Sequence, residues 1–280
     1  MKYTLKLLTS CFCTIVLLVI CPAVLHGQDS AKVKKPFYPK YYFYFGAYTP
    51  NISTTLILDG KTLPGTLINL ESDAGFEDKP WLFRFDAMGQ FTKRSGLSVS
   101  YINNNRSHGW VVDRDVKIRD TTFHAGASLN IYFNTQFYFA SYNYFIFSKP
   151  DWKAGLSIGV RFLYVKAGVE LETTNFSGYA EAVTVPAPAP VIGLCGTAYM
   201  TKRLQVKYNL DYFNISVQGV KAGVLDNRIG LEYYIIKNLG IGGSLNYLYF
   251  RIKEFPISEN INGEFRYSLN GFNLYAALRF

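Results

Sequence analysis

The chain has 280 residues, 29 Lys and Arg against 20 Asp and Glu, and a formal net charge of +9. It is 17% aromatic, with 22 Tyr, 22 Phe and 23 Gly, a composition that favours strands, interfacial rings and tight turns over helices. Past residue 27 no run approaches the roughly 20 uninterrupted apolar residues of a membrane helix, and the basic residues form neither the single-faced cluster nor the module of a nucleic-acid binder.

Residues 1–27 read as a secretory signal peptide. Lys2 and Lys6 form a positive start, an apolar run follows, and small Gly27 precedes Gln28, the layout of a cleaved leader. A retained anchor is disfavoured by Thr9, Ser10, Thr14 and Pro22 within the run and by the lack of a stop-transfer pattern. Cys11 comes too early in the run for a lipobox, and Cys21 follows Ile20 where a small residue is needed. Cleavage removes Cys11, Cys13 and Cys21 and leaves Cys195 alone. A disulfide-stapled fold and a Cys-based zinc site are thereby excluded. Cys195, within the apolar stretch Val191-Ile192-Gly193-Leu194-Cys195, suits a small buried role. Residues 28–40 form a basic, Pro-containing periplasmic leader.

From residue 41 to 280 the chain alternates. Over 203–213, Leu204, Val206, Tyr208, Leu210 and Tyr212 oppose Arg203, Gln205, Lys207, Asn209 and Asp211, a sharp period of two. The same split runs through 81–91, 152–162 and 227–235. Very short connections near 92–94, 149–151, 201–202 and 237–238 alternate with longer ones at 103–121, 173–186 and 255–263. That asymmetry predicts an all-β, antiparallel up-and-down transmembrane β-barrel, with tight periplasmic turns and long outer loops. Counting back from the last residue gives strands near 264–280, 239–254, 221–236, 203–217, 187–200, 152–171, 122–148, 95–106, 81–91 and 64–75. A pair from 41–59, broken at Thr49-Pro50-Asn51, raises the count to twelve; the alternative is ten, with 41–59 in the lumen or periplasm. The run Val185-Pro186-Ala187-Pro188-Ala189-Pro190 reads as a stiff entry into a strand.

The last strand places Phe272, Leu274, Ala276, Leu278 and Phe280 on one face, with Gly271 and Tyr267 on the other. A strand of this kind must pair with the first, because lipid tolerates no open edge. Gly271, Phe272, Leu274, Leu278 and Phe280 resemble the terminal signal that outer-membrane barrels present to their assembly machinery, which makes that machinery an expected partner. The expected location is the outer membrane of a Gram-negative cell.

Five stretches carry a resemblance to an uncharacterised family of bacterial outer-membrane β-barrel proteins: Leu82-Phe83-Arg84-Phe85 with its turn, Val112-Asp113-Arg114-Asp115-Val116-Lys117-Ile118, Ala187-Pro188-Ala189-Pro190-Val191-Ile192-Gly193, Gly230-Leu231-Glu232-Tyr233-Tyr234 and the closing strand. The resemblance spans about residues 81–280. It implies the barrel fold and carries no reaction and no functional residue.

Candidate chemistry is sparse. After cleavage the histidines are His108 and His124, in or beside the 103–121 segment with Ser107, Asp113, Asp115 and Asp120. Such groups could form an outer-rim lipid or peptide hydrolase, but no G-x-S-x-G or H-E-x-x-H occurs, so no catalytic residue, metal or cofactor is expected. The less apolar strand faces carry Arg84, Asp86, Lys153, Arg161, Lys207, Asp211, Arg228, Glu232 and Arg279, with Asp226 beside them. Charges facing lipid near the midplane cost about 2–4 kcal/mol each, so these are expected to line the lumen. They would either fill it as a salt-bridged core or leave a charged constriction for small solutes. The expectation is a non-enzymatic barrel: a narrow channel, a small-solute binder or a structural surface protein. An adhesin or receptor acting through 103–121 and 173–186 is the further alternative. Outer-membrane lipids are expected partners, and the basic surplus suits anionic headgroups or lumenal anions.

Overall fold

The computed structural model describes residues 39–60, 66–111, 116–118, 121–123, 126, 128–171, 178–179, 183–217, 219–258 and 261–280. The expected signal peptide and all but the end of the leader lie outside these residues, as do Asp113, Asp115, Asp120 and His124.

Ten long strands follow in chain order: β1 (Tyr41–Gly60), β2 (Leu82–Gln90), β3 (Ser95–Val111), β4 (Ser128–Ser148), β5 (Trp152–Leu171), β6 (Val183–Tyr199), β7 (Leu204–Val217), β8 (Val220–Tyr234), β9 (Leu239–Ser258) and β10 (Ile261–Arg279). Each pairs antiparallel with the next. β10 then pairs with β1 from Tyr42↔Arg279 to Gly60↔Ile261. The sheet therefore closes on itself as an up-and-down barrel, the arrangement that satisfies strand edges in lipid. Three short ladders lie off the ring: Thr66–Asn69 pairs with β1, Gly178–Tyr179 with β5, and Val116–Ile118 with Thr121–Phe123.

The count is ten rather than twelve, and it arises differently from the expected ten-strand alternative. Residues 41–60 form one unbroken wall strand, and 64–75 supplies only the short ladder at Thr66–Asn69. Pro50 does not break β1 because of where its missing N–H would point. Ile52, of the same parity, donates to the carbonyl of Asp78, so Pro50 faces the β2 side, where the ladder already stopped at Tyr48↔Leu82. A proline is tolerated where no ladder donor is required.

The prolines of β6 follow the same rule with a larger consequence. The N–H of Tyr199 points to the β5 side, onto the Asp151 carbonyl, so even-numbered positions face β7. Pro186, Pro188 and Pro190 are all even, and β6–β7 pairing stops at Ile192↔Tyr212. Pairing with β5 continues up to Val183↔Ala167. Among the described residues, the upper end of β7 thus has β8 on one side and no strand partner on the other.

Both ends of the ring and the tight turns at 91–94, 149–151, 200–203 and 235–238 lie together. The opposite end carries three long connections, 61–81, 112–127 and 172–182, but also two of only two residues, 218–219 and 259–260, because strand is more extensive there than expected. β3 runs to Val111, and β9 runs to Ser258 with register breaks at Lys253/Phe255 and Pro256/Ser258. The expected 255–263 loop is mostly ladder. A 20-residue strand at the usual tilt stands about 50 Å tall, roughly twice a membrane barrel's apolar band of about 25 Å. Alternation sorts the faces as the sequence implies. Leu156, Ile158, Ile192, Leu194, Leu231, Ile241, Leu245 and Leu274 are exposed on the outer wall, while their neighbours point inward and are buried or half-buried. This outer belt is what a membrane-spanning barrel presents to lipid.

Candidate functional site: the barrel interior

Three layers fill the lumen. Nearest the tight turns, Tyr42, Tyr44, Tyr234 and Tyr275 pack together with Ala277. The Arg279 guanidinium lies 3.5 Å from the centre of the Tyr234 ring and donates through Nε to the Lys237 carbonyl at 2.8 Å. Lys153 donates to Gln90 Oε1 at 3.2 Å and sits over the Phe145 ring.

The middle layer is ionic. Asp86 accepts from Arg84 on its own strand (Nε to Oδ2, 3.0 Å), from Arg228 Nη1 of β8 at 2.8 Å, and from the Ser100 hydroxyl. Arg161 of β5 donates to Asp211 of β7, to Asp226 of β8 at 3.0 Å and to Ser141 Oγ at 2.8 Å. Lys207 pairs with Glu232 at 3.2 Å, over the rings of Tyr42 and Tyr44. Glu232 also accepts from Gln205 at 2.5 Å, Tyr234 at 3.0 Å and Tyr275 at 3.2 Å. One triad carries an extra positive charge, the other an extra negative one, and the third pair is balanced. Four cations meet four anions, so the layer is neutral as a whole.

Glycines make this layer possible. A Cβ on Gly193 of β6 would lie 2.3 Å from Asp211 Oδ1 and 2.7 Å from Ser157 Oγ. Without it, Ser157 and Arg161 of β5 reach across β6 to Asp211 of β7. Gly242 does the same for Tyr275, whose ring would come within 2.5 Å of an added Cβ.

Above lies an apolar layer that includes Tyr48, Ile52, Ile102, Phe133, Phe137 and Leu269. Tyr267 sits within it, its hydroxyl bonded to Asn104 Nδ2 at 3.0 Å and Thr135 Oγ1 at 3.1 Å. The 70–81 connection turns inward over this layer and buries Phe76. Its latch is Arg106 of β3, which donates to Glu71 at 2.6 Å and to Thr54 Oγ1 at 2.8 Å between the rings of Phe76 and Phe133. Asp73, exposed in the same connection, is held below the usual carboxylate range by the Asn69 N–H and the Ser72 hydroxyl.

All nine charged residues picked from the sequence lie inside the barrel, buried or half-buried. Arg84, Asp86, Arg161, Lys207, Asp211, Arg228 and Glu232 come together in the middle layer, around a cavity of about 110 Å³. Lys153 and Arg279 belong to the layer below. Sequence reasoning missed Arg106, Glu71 and the tyrosine layer. The signal for Arg106 was its parity with Ile102 and Asn104 in a strand assumed to end at 106. Of the candidate hydrolytic groups, Ser107 and His108 are described. As consecutive strand residues they face opposite sides of the wall, and His108 packs on Gly75, whose added Cβ would lie 2.8 Å from Nε2.

No family model and no curated protein matches the chain. Solved structures similar to it include the outer membrane protease OmpT of Escherichia coli (TM-score 0.48, 9% identity, 90% of this chain and 99% of that one). The translocator domain of the autotransporter NalP from Neisseria meningitidis gives a TM-score of 0.42 at 7% identity, with 97% and 96% covered. The outer membrane protein OprG from Pseudomonas aeruginosa gives 0.32 at 9%, with 88% and 98% covered. At these values the likeness says nothing of activity.

Proposed function

We propose that this chain is an outer-membrane β-barrel that spans the bilayer with a closed, filled interior and acts as a non-enzymatic surface protein rather than as a pore. The observation that carries this reading is the middle layer. Its four cations and four anions pair with one another inside the lumen, within a strand (Arg84–Asp86), between adjacent strands (Lys207–Glu232), past one or two strands (Arg161–Asp211, Arg161–Asp226) and past three (Arg228–Asp86), with a tyrosine layer below and an apolar layer above. An ion crossing it would have to part buried charge pairs in a low-dielectric interior, which costs several kcal/mol. Three of the four interior acids are well occupied: Asp86 accepts from Arg84, Arg228 and Ser100, Asp211 from Arg161 and Ser157, and Glu232 from Gln205, Tyr234 and Tyr275 beside its pairing with Lys207. Carboxylates so occupied are poor general bases, which supports the non-enzymatic reading. The apolar outer belt and the closed ring support the membrane location.

Planar-bilayer recording of the refolded full-length mature chain tests the proposal. The expected result is insertion, seen as heat-modifiable migration, with no unitary conductance across a range of salt concentrations. Reproducible conductance steps from inserted protein would overturn it.

A further inference from the structure

One sector of the described outer wall is strongly basic above its aromatic positions. Read upward from the tight turns, the outward positions of β9 are Leu239, Ile241, Gly243, Leu245, Tyr247, Tyr249, Arg251 and Lys253. Apolar residues give way to two tyrosines and then to two cations, the order of a membrane interface. Arg251 stands about 30 Å above Leu239 at the usual rise and tilt. The adjacent strands place Lys221 of β8 and Arg266 of β10 on the same outer face at the same level.

These four cations are arranged at a cost to the protein. Arg251 is directly opposite Arg266 in the β9–β10 ladder, and Lys221 is directly opposite Lys253 in the β8–β9 ladder. Like charges facing each other across a ladder are destabilising. Among the described residues the sector holds two carboxylates. Glu264 is shared by Arg251 at 2.7 Å, Arg266 at 2.6 Å and Lys253 at 3.9 Å. Glu254 takes Lys221 at 2.8 Å, from a bulge where its backbone is in the left-handed region at φ 60°. Among those residues, four cations face two carboxylates, an excess of two positive charges. The cationic side chains remain 36–53% exposed. The sector is bounded: the ladder neighbours are Thr55 of β1, beside Arg266, and Ser216 of β7, beside Lys221.

We propose that this sector binds the phosphate groups of a phosphorylated lipid in the outer leaflet. The inference rests on the membrane-barrel reading, which puts the tyrosines at the interface and the cations at headgroup level. Charge complementarity selects the occupant. Guanidinium and ammonium groups at headgroup height, on a wall continuous with the lipid-facing belt, meet phosphates whose acyl chains lie against Leu245, Tyr247 and Leu274. A bound phosphate would also relieve the two like-charge pairs.

The test titrates the refolded full-length mature chain, in neutral detergent, with diphosphorylated lipid A, with its dephosphorylated form and with inorganic pyrophosphate, reading complexes by native mass spectrometry. Binding of the diphosphorylated lipid is expected at about one per barrel, weakening with added salt. The variant K221Q/R251Q/K253Q/R266Q is expected to bind at least tenfold more weakly while keeping heat-modifiable migration. Equal binding by the variant, or equal binding of the dephosphorylated lipid, overturns the proposal. So does capture of pyrophosphate as tightly as of the lipid, because the acyl contacts then contribute nothing. Barrels that insert yet ignore phosphate sink this inference alone, whereas a chain that never becomes heat-modifiable sinks the membrane reading with it.

Discussion

Arg161 reaches Asp211 across an intervening strand, and it does so where Gly193 leaves β6 without a side chain. The ion pair therefore depends on a residue that contributes no atom to it. Gly193→Val would drive a Cβ to 2.1 Å from the Leu210 carbonyl and 2.3 Å from Asp211 Oδ1. It combines overpacking with separation of a buried pair, an expected loss of about 3–5 kcal/mol. Urea unfolding of the inserted barrel, followed by tryptophan fluorescence, measures it. Gly109→Ala is the control: an added Cβ there meets nothing within 4 Å, and stability should hold or rise slightly.

The two triads respond differently to loss of an acid. Asp86→Ala leaves Arg84 and Arg228 facing each other without their shared carboxylate, an expected cost of about 3–5 kcal/mol. Asp226→Asn leaves Arg161 its bond to Asp211, so its cost is expected to be the smaller of the two. Equal midpoints for the two variants in the same urea titration would contradict the pairing described for the middle layer.

The parity of charges was legible in the sequence because a strand's period of two leaves no choice: once Leu204, Val206 and Tyr208 face lipid, Lys207 and Asp211 face inward. Ladder closure was legible for a similar reason. What the pattern did not reveal was which inward charges meet. Arg161 and Asp211 lie 50 residues apart, and their contact depends on the barrel's curvature and on a glycine in a third strand. The preference for twelve strands over ten failed at Pro50 because a proline's effect depends on which side its missing N–H would face, and that is set by the partner strand. The upper reach of β3 was missed because His108 and its neighbours carry the polar composition of a loop, while their pairing with β4 is ladder to the end.

Arg106 holds the 70–81 connection over the upper layer. Arg106→Ala removes the donor to Glu71 and Thr54 and strands a carboxylate that is 10% exposed. Limited proteolysis within 70–81 should accelerate at least tenfold. Conductance should stay absent, because the ionic and tyrosine layers lie beneath. Glu71→Gln, which keeps an acceptor for Arg106, should show a smaller acceleration.

The β6 prolines make the last prediction. With pairing ended at Ile192↔Tyr212, the backbone groups of Asn214 and Ser216 face β6 positions 190 and 188, where proline supplies no donor. Their own amides should exchange with solvent as an open edge does, far faster than those of Leu210 and Tyr212 in the paired segment. Pro188→Val/Pro190→Val restores two donors at the right parity and adds β-branched residues on an outward face. The expected outcome is a longer β6–β7 ladder: slowed exchange at Asn214 and Ser216 by at least tenfold, together with a higher urea midpoint. Unchanged exchange in the double variant would show that the strands are held apart by something other than the missing N–H groups.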